Sequence, residues 1–146
     1  MPADISNKER DLLAFAEEVA AKAYAPYSRF RVGAAILDNK GEVHLGCNVE
    51  NAAYPEGCCA EAIAIGAMVS RGKQSIASIA VFGADAVDGP CTPCGGCRQK
   101  IAEFANAKTK IIAGRPDHAA VVYSLEDLLP EHFSSANLQT AKAQND

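Results

Sequence analysis

No apolar run in these 146 residues approaches the ~20 needed to cross a bilayer, so no membrane-spanning helix is expected. Positive charge is also scarce. A formal net charge of −4 argues against a nucleic-acid surface, where Lys and Arg cluster. Met1 to Glu18 lacks the charged-then-apolar layout of a signal peptide. The absence of an export signal predicts a reducing cytoplasm, where the six cysteines serve as ligands or free thiols rather than disulfides. Internal repeats and linkers are missing too, and His44, His118 and His132 lack ligand-like spacing. What remains is an ordinary soluble composition in a chain long enough to bury one core.

Against that plain background stand two cysteine motifs, Cys59-Ala60-Glu61 and Pro93-Cys94-Gly95-Gly96-Cys97. Three thiolates can hold one zinc ion and leave a fourth position open for water, the arrangement of a catalytic rather than a structural site. Glu61 is the proton carrier that such a water needs. The chain therefore reads as a zinc hydrolase with a small pocket.

The surrounding pattern alternates between helix and strand. Apolar residues at Leu12, Leu13, Phe15, Ala16, Val19 and Ala20 predict an amphipathic helix over Lys8–Ala23. Val32–Leu37, a tight turn at Asp38–Gly41 and Glu42–Val49 predict an antiparallel hairpin. A loop follows to Gly57, then a helix over Cys59–Ser70 with Gly72 at its end. Strand Ile76–Phe82, a loop over Gly83–Thr92, helix Cys94–Ala105, and strands Thr109–Ala113 and Ala119–Tyr123 come next. Ser124 caps a short helix over Leu125–Leu129, which Pro130 ends. This order predicts a single α/β domain over residues 1–133: three layers, with a mixed five-stranded sheet flanked by helices. Residues 134–146 are expected to be a polar tail, frayed from Gln139 onward.

Both cysteine motifs fall at helix N-termini. Side chains of a first turn lean back toward the helix start, so Cys59 and Glu61 can converge beyond it, while Cys94 and Cys97 share a face. Two facing helix ends would also soften the negative charge of three thiolates on one divalent ion. Other readings stay open. The cysteines could form a redox pair, an iron–sulfur segment starting at Cys91, or a closed zinc site completed by Cys58 or Cys91. Cys47 reads as a buried small hydrophobe. Glu61 begins a helix apolar on nearly every side, which predicts a buried helix and a carboxyl with a raised pKa.

Taken together, Gly46 to Pro55, Cys59-Ala60-Glu61 and Pro93 to Gln99 closely resemble the small, homotetrameric, three-cysteine cytidine deaminases. The likeness extends to Tyr24–Ala34 and Leu125–Phe133 and covers about nine-tenths of the chain. The zinc, Glu and P-C-x-x-C pattern is that of nucleobase deaminases generally. The resemblance implies one zinc per chain on Cys59, Cys94 and Cys97, and hydrolysis of cytidine and 2′-deoxycytidine to the uridines plus ammonia in pyrimidine salvage. Glu61 would shuttle protons to N3 and the leaving amine. Asn48 and Glu50 would bind the ribose, Phe30 would pack on the pyrimidine, the Ala60 backbone would read its edge, and the Thr92 carbonyl would face the amine. Ala52, Tyr54 and Phe133 would reach a neighbouring subunit's pocket in a homotetramer.

One position departs from the resemblance. Relatives with three cysteine ligands usually carry Arg directly after the Glu, bonded to the thiolates; here it is Ala62. Helix ends and backbone NH groups are expected to supply the missing balance, with Arg98 a further candidate. Two other readings remain: a sister deaminase acting on blasticidin S or a modified cytosine nucleoside, and a non-catalytic zinc module that scaffolds an oligomer.

Overall fold

A computed structural model describes residues 5–138. The expected fraying from Gln139 onward lies outside the described residues; residues 135–138 form a helical turn. Helix α1 (Asn7–Ala20) starts at Ser6, whose hydroxyl accepts from the Glu9 amide while the Glu9 carboxylate accepts from the Ser6 amide. It stops three residues short of the expected Ala23. There Tyr24 leaves the helical path to pair with the 48–50 segment, donating to the Asn48 carbonyl and accepting from the Glu50 amide. Tertiary pairing outweighs local propensity at that point.

Strands β1 (Val32–Asp38) and β2 (Val43–Cys47) form the expected hairpin. β2 ends before the predicted Val49, because Val49 departs from β1 to bridge Tyr24 and Cys58. Helix α2 (Ala60–Ser70) follows a short 3-10 turn at Tyr54–Glu56. Its end is closed by the Gly72 amide on the Val69 carbonyl and the Lys73 amide on the Met68 carbonyl, with Gly72 at φ +78°. Then come β3 (Ile76–Gly83), α3 (Gly95–Phe104), β4 (Lys110–Gly114), β5 (Val121–Tyr123) and the Ser124-capped α4 (Leu125–Leu128).

The sheet runs β2-β1-β3-β4-β5, with only the β3–β4 pair parallel, joined through α3. Alternation along the strands makes two cores. Ala34, Ile36, Ile79, Val81 and Ile111 face α2 and α3, while Ala35, Ala80, Phe82 and Ile112 face Leu12, Ala16 and Ala20 of α1. The three-layer expectation holds. A Cβ at Gly46 would collide with the Ala60 carbonyl and the Ala64 amide, so this glycine sets how closely α2 can lie on β2.

The prediction that α2, apolar on nearly every side, is a buried helix needs correction. Ala60, Glu61, Ala64, Ile65 and Met68 are buried, but Gly66 and Val69 are exposed. The sheet covers one face of this helix, and among the described residues no second layer covers the opposite face. Cys47 is half-buried rather than buried, since it closes an edge strand.

Candidate metal centre

Cys59 is the N-cap of α2 and Cys94 the N-cap of α3, each in extended backbone, and Cys97 lies in the first turn of α3. The predicted helices therefore begin one residue late, and both cysteines sit where a side chain can lean past the helix end. The two helices pack against each other over the sheet and bring the three sulfurs together. Cys59 Sγ and Cys94 Sγ are 3.9 Å apart, and all three donors lie within 4.8 Å of one another. Tetrahedral zinc with Zn–S bonds of ≈ 2.3 Å spaces its sulfurs about 3.8 Å apart, so the trio fits one ion. All six cysteines are free, and Cys97 is buried while Cys59 and Cys94 are exposed.

The remaining cysteines stand apart from this trio. Cys58 is exposed, with its thiol directed at the Glu56 carbonyl. Cys91 is half-buried, and burial together with the Glu61 charge pushes its thiol up to about 11. Neither joins the three-donor cluster, so the geometry is that of an open site.

Glu61 is only 4% exposed. Burial pushes its carboxyl above the usual range, against its own backbone NH, the Cys97 thiol and the Lys100 charge, which all favour the carboxylate. Burial likewise raises the Cys59 thiol. At Cys94 burial acts in the same direction, but the Cys97 backbone NH and the neighbouring thiols outweigh it and hold Cys94 below the ordinary thiol range. A backbone NH is thus one real source of the expected compensation.

Arg98 is not another. Its guanidinium donates to the Pro93 carbonyl at 2.8 Å, the Leu128 carbonyl at 2.8 Å and the Thr92 hydroxyl at 3.2 Å, tying the ligand loop to α4. Lys100, a turn beyond Cys97, is a cation that sequence reasoning missed. Its i, i+3 spacing from Cys97 was the available signal.

Beside Cys59 opens a cleft of about 460 Å³. Of the predicted binding residues, Asn48, Glu50 and Tyr54 line it, together with Tyr27, Ser28 and Cys59. Asn48 accepts from the Val32 amide and donates to the Phe30 carbonyl, both at 2.8 Å. Phe30 is 38% exposed on the segment that Asn48 holds. Ala60 is fully buried at the start of α2, and Thr92 is half-buried beneath Arg98. Ala52 and Phe133 are exposed, and Tyr54, at 77% exposure, meets Tyr27 edge-on with ring centroids 5.9 Å apart. Ser28 and Tyr27 were not foreseen as lining residues, although they lie within the stretch that carries the resemblance.

Comparison with known proteins identifies the family. The family model described as the cytidine and deoxycytidylate deaminase zinc-binding region matches residues 6–113. A cytidine deaminase of Sporosarcina psychrophila is 41% identical over 133 residues, covering 91% of this chain and 96% of the relative. The crystal structure of cytidine deaminase from Burkholderia pseudomallei superposes with a TM-score of 0.80 at 39% identity, covering 88% of this chain and all of that one. That of the Mycobacterium tuberculosis cytidine deaminase does so at 0.75 and 38%, covering 89% and 98%. This chain belongs to the cytidine and deoxycytidylate deaminase family, and its Cys59, Cys94 and Cys97 form the zinc-binding site.

Proposed function

We propose that this chain hydrolyses the exocyclic amine of cytidine and 2′-deoxycytidine, giving the corresponding uridine and ammonia in pyrimidine salvage. The observation that carries the reading is the buried Glu61 carboxyl beside three converging thiols, one of which, Cys59, lines a cleft of nucleoside size. Zinc held by Cys59, Cys94 and Cys97 supplies Lewis acidity that makes a water molecule nucleophilic near neutral pH. Glu61 takes one proton of the attacking water and passes it to N3, then carries the remaining hydroxyl proton from C4 to the departing amine. Its raised pKa suits both taking and giving a proton. Asn48 and Glu50 bind the ribose, Phe30 packs on the pyrimidine, the Ala60 backbone reads the base edge, and the Thr92 carbonyl receives the amine.

Self-association fits the same reading. The uncovered face of α2, with Gly66 and Val69, and the exposed Tyr54 and Phe133 support an assembly in which Ala52, Tyr54 and Phe133 complete a neighbour's cleft. A homotetramer is the form we infer, built from the domain over residues 1–133. Six free cysteines support a reducing cytoplasm as its compartment. Among the described residues no helix is long and apolar enough to cross a membrane.

The test is the loss of cytidine ultraviolet absorbance on adding purified protein, with zinc counted on the same sample. Rapid loss with one zinc per chain is the expected result. Zinc without turnover of either nucleoside would overturn the substrate and point to N4-modified cytidines or blasticidin S.

A further inference from the structure

The Glu50 carboxylate is not free in the cleft. Its Oε1 accepts from the Tyr27 amide at 3.0 Å and the Ser28 amide at 3.1 Å, and its Oε2 accepts from the Ser28 hydroxyl. The Ser28 oxygen in turn accepts from the Phe30 amide at 3.0 Å. A hydroxyl has one proton, so with its oxygen turned to the Phe30 amide that proton is committed to Glu50. The outcome is directional: Oε1 is saturated, and Oε2 keeps a single acceptor position for a further donor.

The backbone supports the same arrangement. Arg29, between Ser28 and Phe30, has φ +60°, a left-handed conformation that non-glycine residues seldom adopt. The Ser28-to-Phe30 hydrogen bond closes the turn around it, and the Arg29 amide donates to the Ala25 carbonyl at 3.0 Å. Strain of this kind persists where surroundings over-determine it, as at ligand clamps. Ser28 also holds the Glu50 carboxyl below its ordinary range, first through its hydroxyl and then through its amide. The group therefore stays an acceptor that selects a hydroxyl and repels a phosphate.

We propose that Ser28 is a positioning residue that aims the free Oε2 acceptor of Glu50 at the 3′-hydroxyl of the nucleoside. The inference rests on the reading of Glu50 as a ribose-binding group. Ser28 does not meet the reacting atoms; it acts through Glu50, so its loss weakens binding more than chemistry.

The experiment compares the zinc-loaded native protein with Ser28→Ala and Ser28→Thr, using cytidine and 3′-deoxycytidine. Ser28→Ala should raise KM for cytidine about tenfold, the scale of one hydrogen bond to a charged group. Its kcat should fall less than threefold, its zinc content should stay unchanged, and KM for 3′-deoxycytidine should move less than threefold. Ser28→Thr, which keeps the hydroxyl, should restore cytidine binding. Equal KM penalties on both nucleosides would overturn the proposal, leaving Ser28 as a loop brace only. No penalty on cytidine would also overturn it. The native protein separates this from the parent reading: failure to turn over cytidine removes the proposed reaction, and equal use of both nucleosides removes the ribose role of Glu50.

Discussion

Among the described residues, two clusters place three metal-ligating side chains within 4.8 Å of one another: Cys59, Cys94 and Cys97, and Asp38, Glu42 and His44. Their surroundings differ in the way that decides function. Asp38 Oδ1 accepts from the Lys40 amide at 2.8 Å and the Glu42 amide at 3.1 Å, and its Oδ2 is 2.8 Å from His44 Nε2. Both side chains are at most 1% exposed. That cluster answers its own polar groups and latches the β1–β2 hairpin. The cysteine cluster draws its members from two helix ends 35 residues apart and faces a cleft. Proximity of donors is thus a weak criterion for a metal site. Donors that converge from separate elements, beside a cavity and a buried acid, form the stronger one.

The sharpest way to break this contrast is to remove one donor from each cluster. Cys97→Ser should lower zinc from one per chain to near none and abolish turnover, measured by metal analysis and cytidine absorbance. Asp38→Asn should leave zinc and kcat at native values but cost about 2 kcal/mol of stability, since buried hydrogen bonds to a charged group weaken. Urea unfolding of the two variants reads that difference. Zinc loss in Asp38→Asn would show that the hairpin cluster has been misread.

Acid sharpens the comparison further. The Asp38 carboxyl is held at about 2: burial works to raise it, and the bonds from His44 and from the Glu42 and Lys40 amides outweigh that. A carboxyl depressed in the folded state adds stability that is complete above its unfolded value, near 3.9, and lost as pH falls through about 2. Native protein should therefore lose the hairpin contribution between about pH 5 and 2, and Asp38→Asn should show a flatter acid limb in thermal unfolding. The smallest effect expected is from Ala62→Arg. With Lys100 and the Cys97 backbone NH already acting at the site, the added cation should change kcat by only a few-fold. A gain of a hundredfold would show that the native site lacks charge compensation.

The zinc site was legible in the sequence because its signals are local. Each cysteine motif opens a helix, and a helix end directs its side chains outward whatever lies around it. The sheet was legible as well, since strand alternation and the Ser6 and Ser124 caps are written into short stretches. What escaped depends on partners distant in sequence. α1 ends at Ala20 because Tyr24 pairs with residues 48–50, and no periodicity in 8–23 records that. Asn48 and Glu50 were expected to bind the ribose, but their own hydrogen bonds to residues 27–32 appear only once the two segments are side by side. The uncovered face of α2 escaped for another reason: composition states that a helix is apolar, not how many neighbours a single chain can supply.

The most direct measurement is cytidine turnover by Glu61→Gln, with zinc counted on the same preparation. The account predicts one zinc per chain and a loss of roughly 10²–10⁴-fold in kcat, the range for a positioned proton carrier. Turnover near the native rate with zinc in place would contradict it, because the buried carboxyl beside the thiols would then carry no proton.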